Sequence, residues 1–350
     1  MPKFQHASLL EFCERLLRAG GFPERDSTLV GKLLVNADRR GYPGHGIIRI
    51  PSYSSWIQDG TIDLATKPKV IREGKTTAAL DANHYVGQVV AYDGMKLAID
   101  KAKEHGVGIV SLARAGHVGR LADYMEMAAD AGMIGIAAVC VGAGSVTLYG
   151  GMQRITGTNP MAFGIPARNG NHIILDFATA AMSMGELQKR DARGEPIPEN
   201  VMLDGYGNPA KDMKTFRGPP RGVLLPFGGY KGSGLNLVVE ILGGILSGNG
   251  LGKRWWDKGA HAVNGVFLHA IAVEEFQPLE EFFDQVDELI SHAKALKPAR
   301  GFNEVVLPGE HARKIEARQM KDGVEIDDAT WEQLRKFAAE VGITDFPNSV

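Results

Sequence analysis

The sequence predicts a mixed α/β fold, and three observations lead to that class. Amphipathic segments with helical periodicity occupy roughly the first 60 residues. Short apolar runs typical of strands begin near residue 68 and alternate with further helical stretches. Helical patterns then return at residues 282–296 and 329–342. Because 350 residues exceed the usual size of one hydrophobic core, we expect two interlocked domains.

Composition narrows the class of protein further. Hydrophobic residues make up 44% of the chain and charged residues 23%, with a formal net charge of −2, as in ordinary globular proteins. No basic stripe is visible, so a nucleic-acid partner is not expected. The most apolar run, residues 133–144, is too short and too rich in glycine to span a membrane. Cys13 and Cys140 lie far apart, so we expect no disulfide framework, and a reducing cytoplasm fits best.

The N-terminal helices are predicted from their boundary signals. Ser8 followed by Glu11 reads as a capping box at the start of the first helix, whose apolar residues share one face. A second helix is expected from about Pro23 to Arg40. The break GYPGHG follows, and a short third helix is predicted to begin after Gly46.

The central part of the chain carries the strand signals. Each strand is predicted by a short run of apolar and β-branched residues bounded by turn formers. The runs lie at residues 76–82, 106–112, 134–141, 172–178, 221–227 and 265–273.

Two clusters among the 44 glycines resemble phosphate-binding loops. In residues 141–151, Thr147 stands where the third glycine of GxGxxG belongs, and no helix is expected after the loop, which argues against a Rossmann fingerprint. In residues 226–248, a strand leads to a loop carrying Lys231 and then to a helix predicted from Leu235. Such a loop either binds an anion or only turns the chain onto a buried helix.

Two of the ten histidines, His45 and His117, lie among glycines that would leave an imidazole accessible. His117 reads either as a general base in a cleft or as a polar residue at a helix start. If Gly46 is helical, His45 and Arg49 share one face, where the arginine could bind a carboxylate; the alternative is an ordinary helix-end residue. His261 and His269 lack the spacing that a metal site requires.

Ordered blocks of the sequence resemble those of a known enzyme family. GHGIIRIPSY, GHVGR, RITGTNPMAFGIP, ILDFAT, PFGGYKGSGLNLVVEILGGILSG, VLPGE and GVEIDDATWEQLRKFAAEVGI follow each other along nearly the whole chain. They look like the blocks of the malate/L-lactate dehydrogenase family that lacks a Rossmann fold. That family also includes ureidoglycolate, sulfolactate and hydroxycarboxylate dehydrogenases and piperideine-2-carboxylate reductases.

The resemblance implies a fold and a domain organisation. We expect an α/β class with a non-Rossmann dinucleotide-binding domain, whose sheet is mostly antiparallel, and a discontinuous helical domain. Residues 71–299 would form the α/β cofactor-binding domain, and residues 1–70, completed by 300–350, the helical domain. A homodimer is also implied.

The resemblance implies roles for individual residues as well. His117 matches the family's catalytic proton acceptor, Arg49 its carboxylate-binding arginine, and His45 a histidine beside the substrate and the nicotinamide. The implied contacts with NAD or NADP, of which NAD is slightly preferred, are His45, Gly119, Arg120, Leu121, Ile174, Leu175, Asp176, Phe177, Ala178, Tyr230, Lys231, Asn264, Gly309, Glu310 and His311. No metal is implied.

Three positions depart from the family's pattern. Gly44 stands where relatives commonly have serine, ARAG precedes His117 where many have an asparagine–serine pair, and Glu186 stands where lysine is frequent. The acid/base and the arginine remain, so these changes are interpreted as tuning of the substrate or of NAD against NADP.

The predicted function is therefore NAD(P)-dependent interconversion of a small 2-hydroxy acid and a 2-oxo acid. Reduction of a cyclic 2-imino acid is the alternative within the family. Two other classes are a non-catalytic nucleotide-binding oligomer and a phosphate transferase using the Lys231 loop, the latter disfavoured because GxxxxGK[ST] is missing. No nucleic-acid or membrane partner is expected.

Overall fold

The computed structural model describes residues 1–257 and 263–350, and His261 lies outside them. The helices are α1 (His6–Ala19), α2 (Glu24–Arg39), α3 (Ile50–Gln58), α4 (Gly87–His105), α5 (Ala122–Asp130), α6 (Met184–Ala192), α7 (Met213–Arg217), α8 (Tyr230–Val239), α9 (Gly252–Asp257), α10 (Leu279–Lys294), α11 (Glu310–Asp322) and α12 (Asp328–Glu340). The strands are β1 (Lys3–Phe4), β2 (Lys69–Glu73), β3 (Thr77–Asp81), β4 (Val107–Ala115), β5 (Met133–Val141), β6 (Met161–Ile165), β7 (Ile173–Phe177), β8 (Met202–Leu203), β9 (Val223–Leu224), β10 (Asn264–Ala272) and β11 (Val324–Glu325). Short 3₁₀ turns cover Pro43–His45 and Ile47–Arg49, and α8 continues as a π-helix over Glu240–Leu246.

A mixed seven-stranded sheet forms the centre of the described structure, in the order β2-β3-β4-β10-β5-β6-β7. Only β3 and β4 pair in parallel there; the other neighbouring strands are antiparallel. Strand β10 inserts between β4 and β5, with Leu268 opposite both Val110 and Ala137. The α/β class predicted from the sequence is confirmed.

Helices cover both faces of this sheet. Alternate residues of a strand point to opposite faces, which separates two sets of contacts along β10. Leu268 faces Gly94 of α4, whereas Gly265, an odd number of positions away, faces Gly243 of the π-helix. Helix α5 lies on the α4 side, because Gly135 of β5 contacts Ala128.

The C-terminal segment returns to the N-terminal helices. Strand β1 pairs with β11, and the ring of Trp331 in α12 lies 4.4 Å from Phe4 and 5.6 Å from Phe12, between ring centroids. One buried cluster nevertheless joins Phe12 and Leu34 to sheet residues such as Val110. The division into residues 1–70 with 300–350 and residues 71–299 stays a prediction.

Two local predictions in these elements were wrong. Ser8 is not a capping residue, because β1 anchors Phe4 and the helix already starts at His6 with no side-chain cap at Gln5. Lys231 does not lie in a loop before a helix at Leu235, because α8 begins at Tyr230. Besides these, strands β1, β2, β6, β8 and β11 were not predicted.

No helix among residues 1–257 and 263–350 combines the length and the apolar character that a membrane span requires.

Candidate active site

Two histidines from distant parts of the chain stack on each other. His117 follows β4, and His45 ends the 3₁₀ turn after α2. Their ring centroids are 5.4 Å apart and the rings are nearly parallel, at 4°. The structure therefore brings together the two glycine-flanked histidines that the sequence singled out.

A tyrosine that the sequence analysis missed completes this pair. Tyr53 of α3 is fully buried, and its hydroxyl lies 2.7 Å from Nδ1 of His117. The hydrogen bond occupies one ring nitrogen, and Nε2 has no hydrogen-bond partner in the described part of the chain. The only signal in the sequence is that Tyr53 follows Arg49 by four residues, which does not distinguish it from an ordinary core tyrosine.

The surroundings keep both imidazoles neutral. Burial lowers the pKa of His117 well below its usual value, and the nearby His45 and Arg49 lower it further. Burial also lowers the pKa of His45 to about 4, helped by the positive charges of Arg49 and Arg120. A neutral imidazole can accept a proton, which is what a general base must do.

Arg49 lies beside this pair but not on a common helix with His45. The backbone of Gly46 is extended, with ψ of −157°. His45 and Arg49 therefore belong to two separate 3₁₀ turns, one on each side of Gly46. The prediction of one shared helical face was therefore wrong. Nε of Arg49 donates to the Gly44 carbonyl at 2.7 Å, while neither terminal nitrogen has a hydrogen-bond partner within the described residues. The guanidinium keeps the two donors that a carboxylate can accept.

Helix α4 holds the loop that carries His117. A Cβ on Gly87 would lie 2.1 Å from the carbonyl oxygen of Gly116 and 2.5 Å from the carbonyl carbon of His117. No other residue type allows this contact without a shift of the backbone. The first turn of α4 therefore determines where His117 lies.

A cleft of about 340 Å³ is lined by Tyr42, Arg120 and Asp176 among others, and neither His45 nor His117 lines it. Arg120 lies at its wall, with its side chain 4% exposed, and is 3.0 Å from Asp123. Asp176 accepts a hydrogen bond from the Ala122 amide at 2.9 Å, and burial raises the pKa of its carboxyl group. The predicted cofactor residues that line this cleft are Arg120, Ile174, Leu175, Asp176 and Gly309.

The other predicted cofactor residues do not line the cleft. Gly119 has φ of +71° and contacts Gln88, and Leu121 is buried. Phe177 packs against Phe227, with Ala178 next to it in the chain. The remaining five are Tyr230 and Lys231, exposed on α8, Asn264, buried at the start of β10, and Glu310 and His311, in the first turn of α11.

Two buried polar atoms near the histidines and the cleft have no hydrogen-bond partner among the described residues. Nδ1 of His45 and Nε of Arg120 are buried and form no hydrogen bond. Buried polar atoms are usually paired, and a polar ligand bound next to these two would supply their missing partners. A nicotinamide dinucleotide, with its amide, hydroxyl and phosphate oxygens, fits this donor set. Residues 1–257 and 263–350 contain no group of three His, Cys, Asp or Glu side chains that could hold a metal ion.

Comparison with known proteins gives consistent results. A family model described as malate/L-lactate dehydrogenase matches residues 4–335. The malate dehydrogenase of Pyrococcus abyssi is 37% identical over 346 residues, covering 96% of this chain and 94% of the relative. The malate dehydrogenase structure from Pyrococcus horikoshii superposes with a TM-score of 0.88 at 34% identity, covering 98% and 97%. The Δ1-piperideine-2-carboxylate reductase structure from Pseudomonas syringae superposes with a TM-score of 0.86 at 28% identity, covering 97% and 100%. The chain therefore belongs to the malate/L-lactate dehydrogenase family, and it is an oxidoreductase that acts on CH–OH donors.

Proposed function

We propose that this protein interconverts a small 2-hydroxy acid and its 2-oxo acid by hydride exchange with NAD or NADP. The observation that carries the proposal is the neutral His117, held by Tyr53 and stacked on His45, with Arg49 alongside. This arrangement supplies an acid/base and a carboxylate-binding group within one site.

His117 moves the proton. In oxidation, Nε2 accepts the hydroxyl proton of the substrate, and Nδ1 then carries a hydrogen that it donates to the Tyr53 oxygen. In reduction, the protonated imidazole returns a proton from Nε2 to the forming hydroxyl oxygen. The lowered pKa of His117 keeps the imidazole neutral, the form that accepts a proton in the oxidation direction.

Arg49 orients the substrate. Its terminal nitrogens can take the carboxylate through two parallel hydrogen bonds, while the bond from Nε to the Gly44 carbonyl fixes the guanidinium plane. Holding the carboxylate this way places the neighbouring carbinol carbon, and errors in such placement are costly in rate. His45 would complete the wall of the substrate site with its unpaired Nδ1.

The dinucleotide would be held by Gly119, Arg120 and Leu121 and by the residues from Ile174 to Ala178, with Gly309 across the cleft. It supplies the hydride acceptor and donor. We place it in the α/β domain of residues 71–299, in a fold other than the Rossmann type. Tyr230, Lys231, Asn264, Glu310 and His311 stay proposed contacts outside the cleft.

The charges in the cleft favour NAD over NADP. The wall carries Glu126, Asp130 and Glu316. Arg40 is 3.0 Å from Glu316 and 2.5 Å from Glu126, and Arg120 is 3.0 Å from Asp123, whereas Arg313 bonds only the His172 carbonyl among the described residues, at 2.7 Å. An additional phosphate would meet these carboxylates, with Arg313 as the one cleft arginine in the described part of the chain that has no carboxylate partner.

Reduction of a cyclic 2-imino acid is the second candidate. It is supported by the likeness to the piperideine-2-carboxylate reductase structure. The same site suits such a substrate, because Arg49 would bind its carboxylate in the same way. A binding protein without activity is the candidate of another class.

We further propose a homodimer formed through α8 and the π-helix. Between Gly232 and Ser247 the only charged residue is Glu240, which is buried. The exposed side chains on the outer surface of this segment are Leu237, Val238, Ile241, Ile245 and Leu246, each between 45% and 59% exposed. Large exposed apolar patches mark contact surfaces, and one patch can serve both subunits across a two-fold axis. A cytoplasmic location stays a prediction from the sequence.

The decisive experiment is a panel of 2-oxo acids and cyclic imines, each assayed with NADH and NADPH by the loss of reduced nicotinamide absorbance. We expect turnover of a 2-oxo acid, faster with NADH. Turnover of imines alone would support the second candidate, and failure to bind either dinucleotide would contradict both. His117→Ala should abolish turnover while NADH still quenches the tryptophan fluorescence, and His292→Ala, an exposed position in α10, is the control.

The dimer is tested separately by sedimentation velocity. Wild-type protein should sediment as a dimer, and Ile241→Glu combined with Ile245→Glu should produce monomers. A monomeric wild type would contradict this part of the proposal.

A further inference from the structure

A buried carboxyl group lies directly beneath the turn that carries His45 and Arg49. Asp38, the penultimate residue of α2, is only 5% exposed, and its Oδ2 accepts a hydrogen bond from the Ile47 amide at 2.7 Å. We propose that Asp38 is a positioning residue for the reaction: its carboxyl group holds the Gly46–Ile47 peptide and so fixes His45 and Arg49 against His117. The inference rests on the function proposed above.

The contact between the carboxyl group and the turn is very close. A Cβ on Gly46 would lie 2.2 Å from both carboxyl oxygens of Asp38. The backbone of Gly46 therefore rests directly on this group, with no side chain between them. Because Gly46 joins the two 3₁₀ turns, a shift of the carboxyl group would move both the imidazole of His45 and the guanidinium of Arg49.

The C-terminal segment holds Asp38 from the other side. Nε2 of the buried Gln319, in α11, donates to the Asp38 carbonyl at 3.3 Å. Oε1 of the same glutamine accepts from the Glu325 amide of β11 at 2.9 Å. The end of α2 is thus fastened to residues almost 300 positions away, and this gives the carboxyl group a fixed place from which to hold the turn.

No cation compensates this carboxyl group. Among the described residues no lysine, arginine or histidine lies within ion-pair distance of Asp38, and burial raises the pKa of its carboxyl group to about 8. The group is therefore neutral at neutral pH, with one oxygen accepting from Ile47. The other charged or titratable groups that act on it are Asp327 at the start of α12, Lys189 of α6 and the Cys13 thiol of α1. His45 and Arg49 belong to the turn itself.

The direction of the pH effect follows from this raised pKa. Between the ordinary pKa of 3.8 and about 8, the folded protein keeps a proton that the unfolded chain has lost. The contribution of Asp38 to stability therefore falls as pH rises through that window and levels off above it. Ionisation near pH 8 also places an uncompensated charge under the turn.

The test compares three substitutions on the best substrate from the panel. Asp38→Asn keeps an acceptor for the Ile47 amide but cannot ionise, whereas Asp38→Ala removes the acceptor. Asp26→Ala is the matched control, because Asp26 is also a buried aspartate of α2, bonded to the Tyr85 hydroxyl at 2.5 Å, away from the turn. All variants are measured for KM of the 2-oxo acid, KM of NADH, kcat and the pH profile of kcat/KM.

We expect Asp38→Ala to raise KM for the oxo acid about tenfold or more, and to raise KM for NADH by a smaller factor, because His45 is one of many proposed contacts with the dinucleotide. For Asp38→Asn, KM for the oxo acid should stay within about threefold of the wild-type value at pH 7. Above about pH 8, wild type should lose kcat/KM while Asp38→Asn does not. Asp26→Ala should lower the melting temperature without changing KM for the oxo acid.

Several results would overturn the proposal. One is an equal rise of KM in Asp38→Ala and Asp26→Ala; another is an Asp38→Asn variant as impaired as Asp38→Ala. If Asp38→Ala does not fold, the comparison of wild type with Asp38→Asn decides. An identical fall of kcat/KM above about pH 8 in both proteins would contradict the proposal. If wild type turns over no member of the panel, the proposed function fails instead. Hydrogen exchange then still tests the bond, because the Ile47 amide should exchange faster in Asp38→Ala than in Asp26→Ala.

Discussion

Replacing Tyr53 by phenylalanine removes one oxygen atom from the site and leaves the ring in place. The hydroxyl lies 2.7 Å from Nδ1 of His117, and Tyr53 is only 2% exposed, so water cannot easily replace it. The variant leaves Nδ1 of the imidazole without its partner. When Nε2 accepts the substrate proton, the Nδ1–H of the charged imidazole then has no oxygen to donate to.

The size of the effect follows from the lost hydrogen bond. Leaving a buried polar atom unpaired costs about 1–3 kcal/mol. If that cost falls mainly on the transition state, in which the charged imidazole needs its partner most, kcat should drop by roughly 5- to 150-fold. KM for the carboxylate should change little, because Arg49 keeps its contact with the Gly44 carbonyl.

The assay is steady-state oxidation of NADH by the best 2-oxo acid, repeated over the pH range in which the protein is folded. Tyr85→Phe is the control, because it also removes a buried tyrosine hydroxyl, one that bonds Asp26 instead of a histidine. A kcat for Tyr53→Phe within twofold of wild type, or a loss no larger than that of Tyr85→Phe, would refute the role given to this hydrogen bond.

Three further changes test other parts of the site. Arg49→Lys should raise KM for carboxylate substrates about tenfold or more while KM for NADH holds, since one ammonium group cannot form two parallel bonds; unchanged KM would contradict the carboxylate contact. Gly87→Ala should lower kcat and destabilise the protein by about 1–3 kcal/mol, because its Cβ would press on the Gly116 carbonyl; thermal unfolding measures this, and Gly60→Ala, where φ is positive but space is open, is the comparison. His45 has a folded-state pKa of about 4, below its ordinary 6.5, so its contribution to stability is present above pH 6.5 and is lost as pH falls towards 4. His45→Gln should therefore show a shallower loss of melting temperature over that window, and parallel curves would argue against a buried neutral imidazole.

The alternation of apolar runs was enough to locate much of the sheet. Strands β3, β4, β5, β7 and β10 lie where short β-branched or apolar stretches predicted them. Strands β2 and β6 were missed for different reasons. All residues of β2 are exposed, so it lacks a buried face, and β6 is a short stretch between turn residues. Periodicity detects an element only when one of its faces differs in polarity from the other.

The start of the first helix and the shape of the turn at Gly46 depend on contacts with residues that lie outside their own local sequence. The first helix starts at His6 because β1 is paired with β11, more than 300 residues later. The turn at Gly46 is extended because its backbone rests on the buried Asp38 carboxyl. A local capping or spacing rule cannot anticipate either contact.

The sequence by itself determined the α/β class and the buried strands, since an apolar run is a local signal. It also singled out His45 and His117, by their flanking glycines, and Arg49, by its spacing from His45, as the residues of the proposed chemistry. Only the tertiary structure decided the order of the strands, the placement of β10 between β4 and β5, and the partners Tyr53 and Asp38. Those partners are an ordinary core tyrosine and a helical aspartate until folding removes them from water. The pKa of each group and its hydrogen-bond partners depend on what surrounds it in space, and that environment comes from segments far apart along the chain.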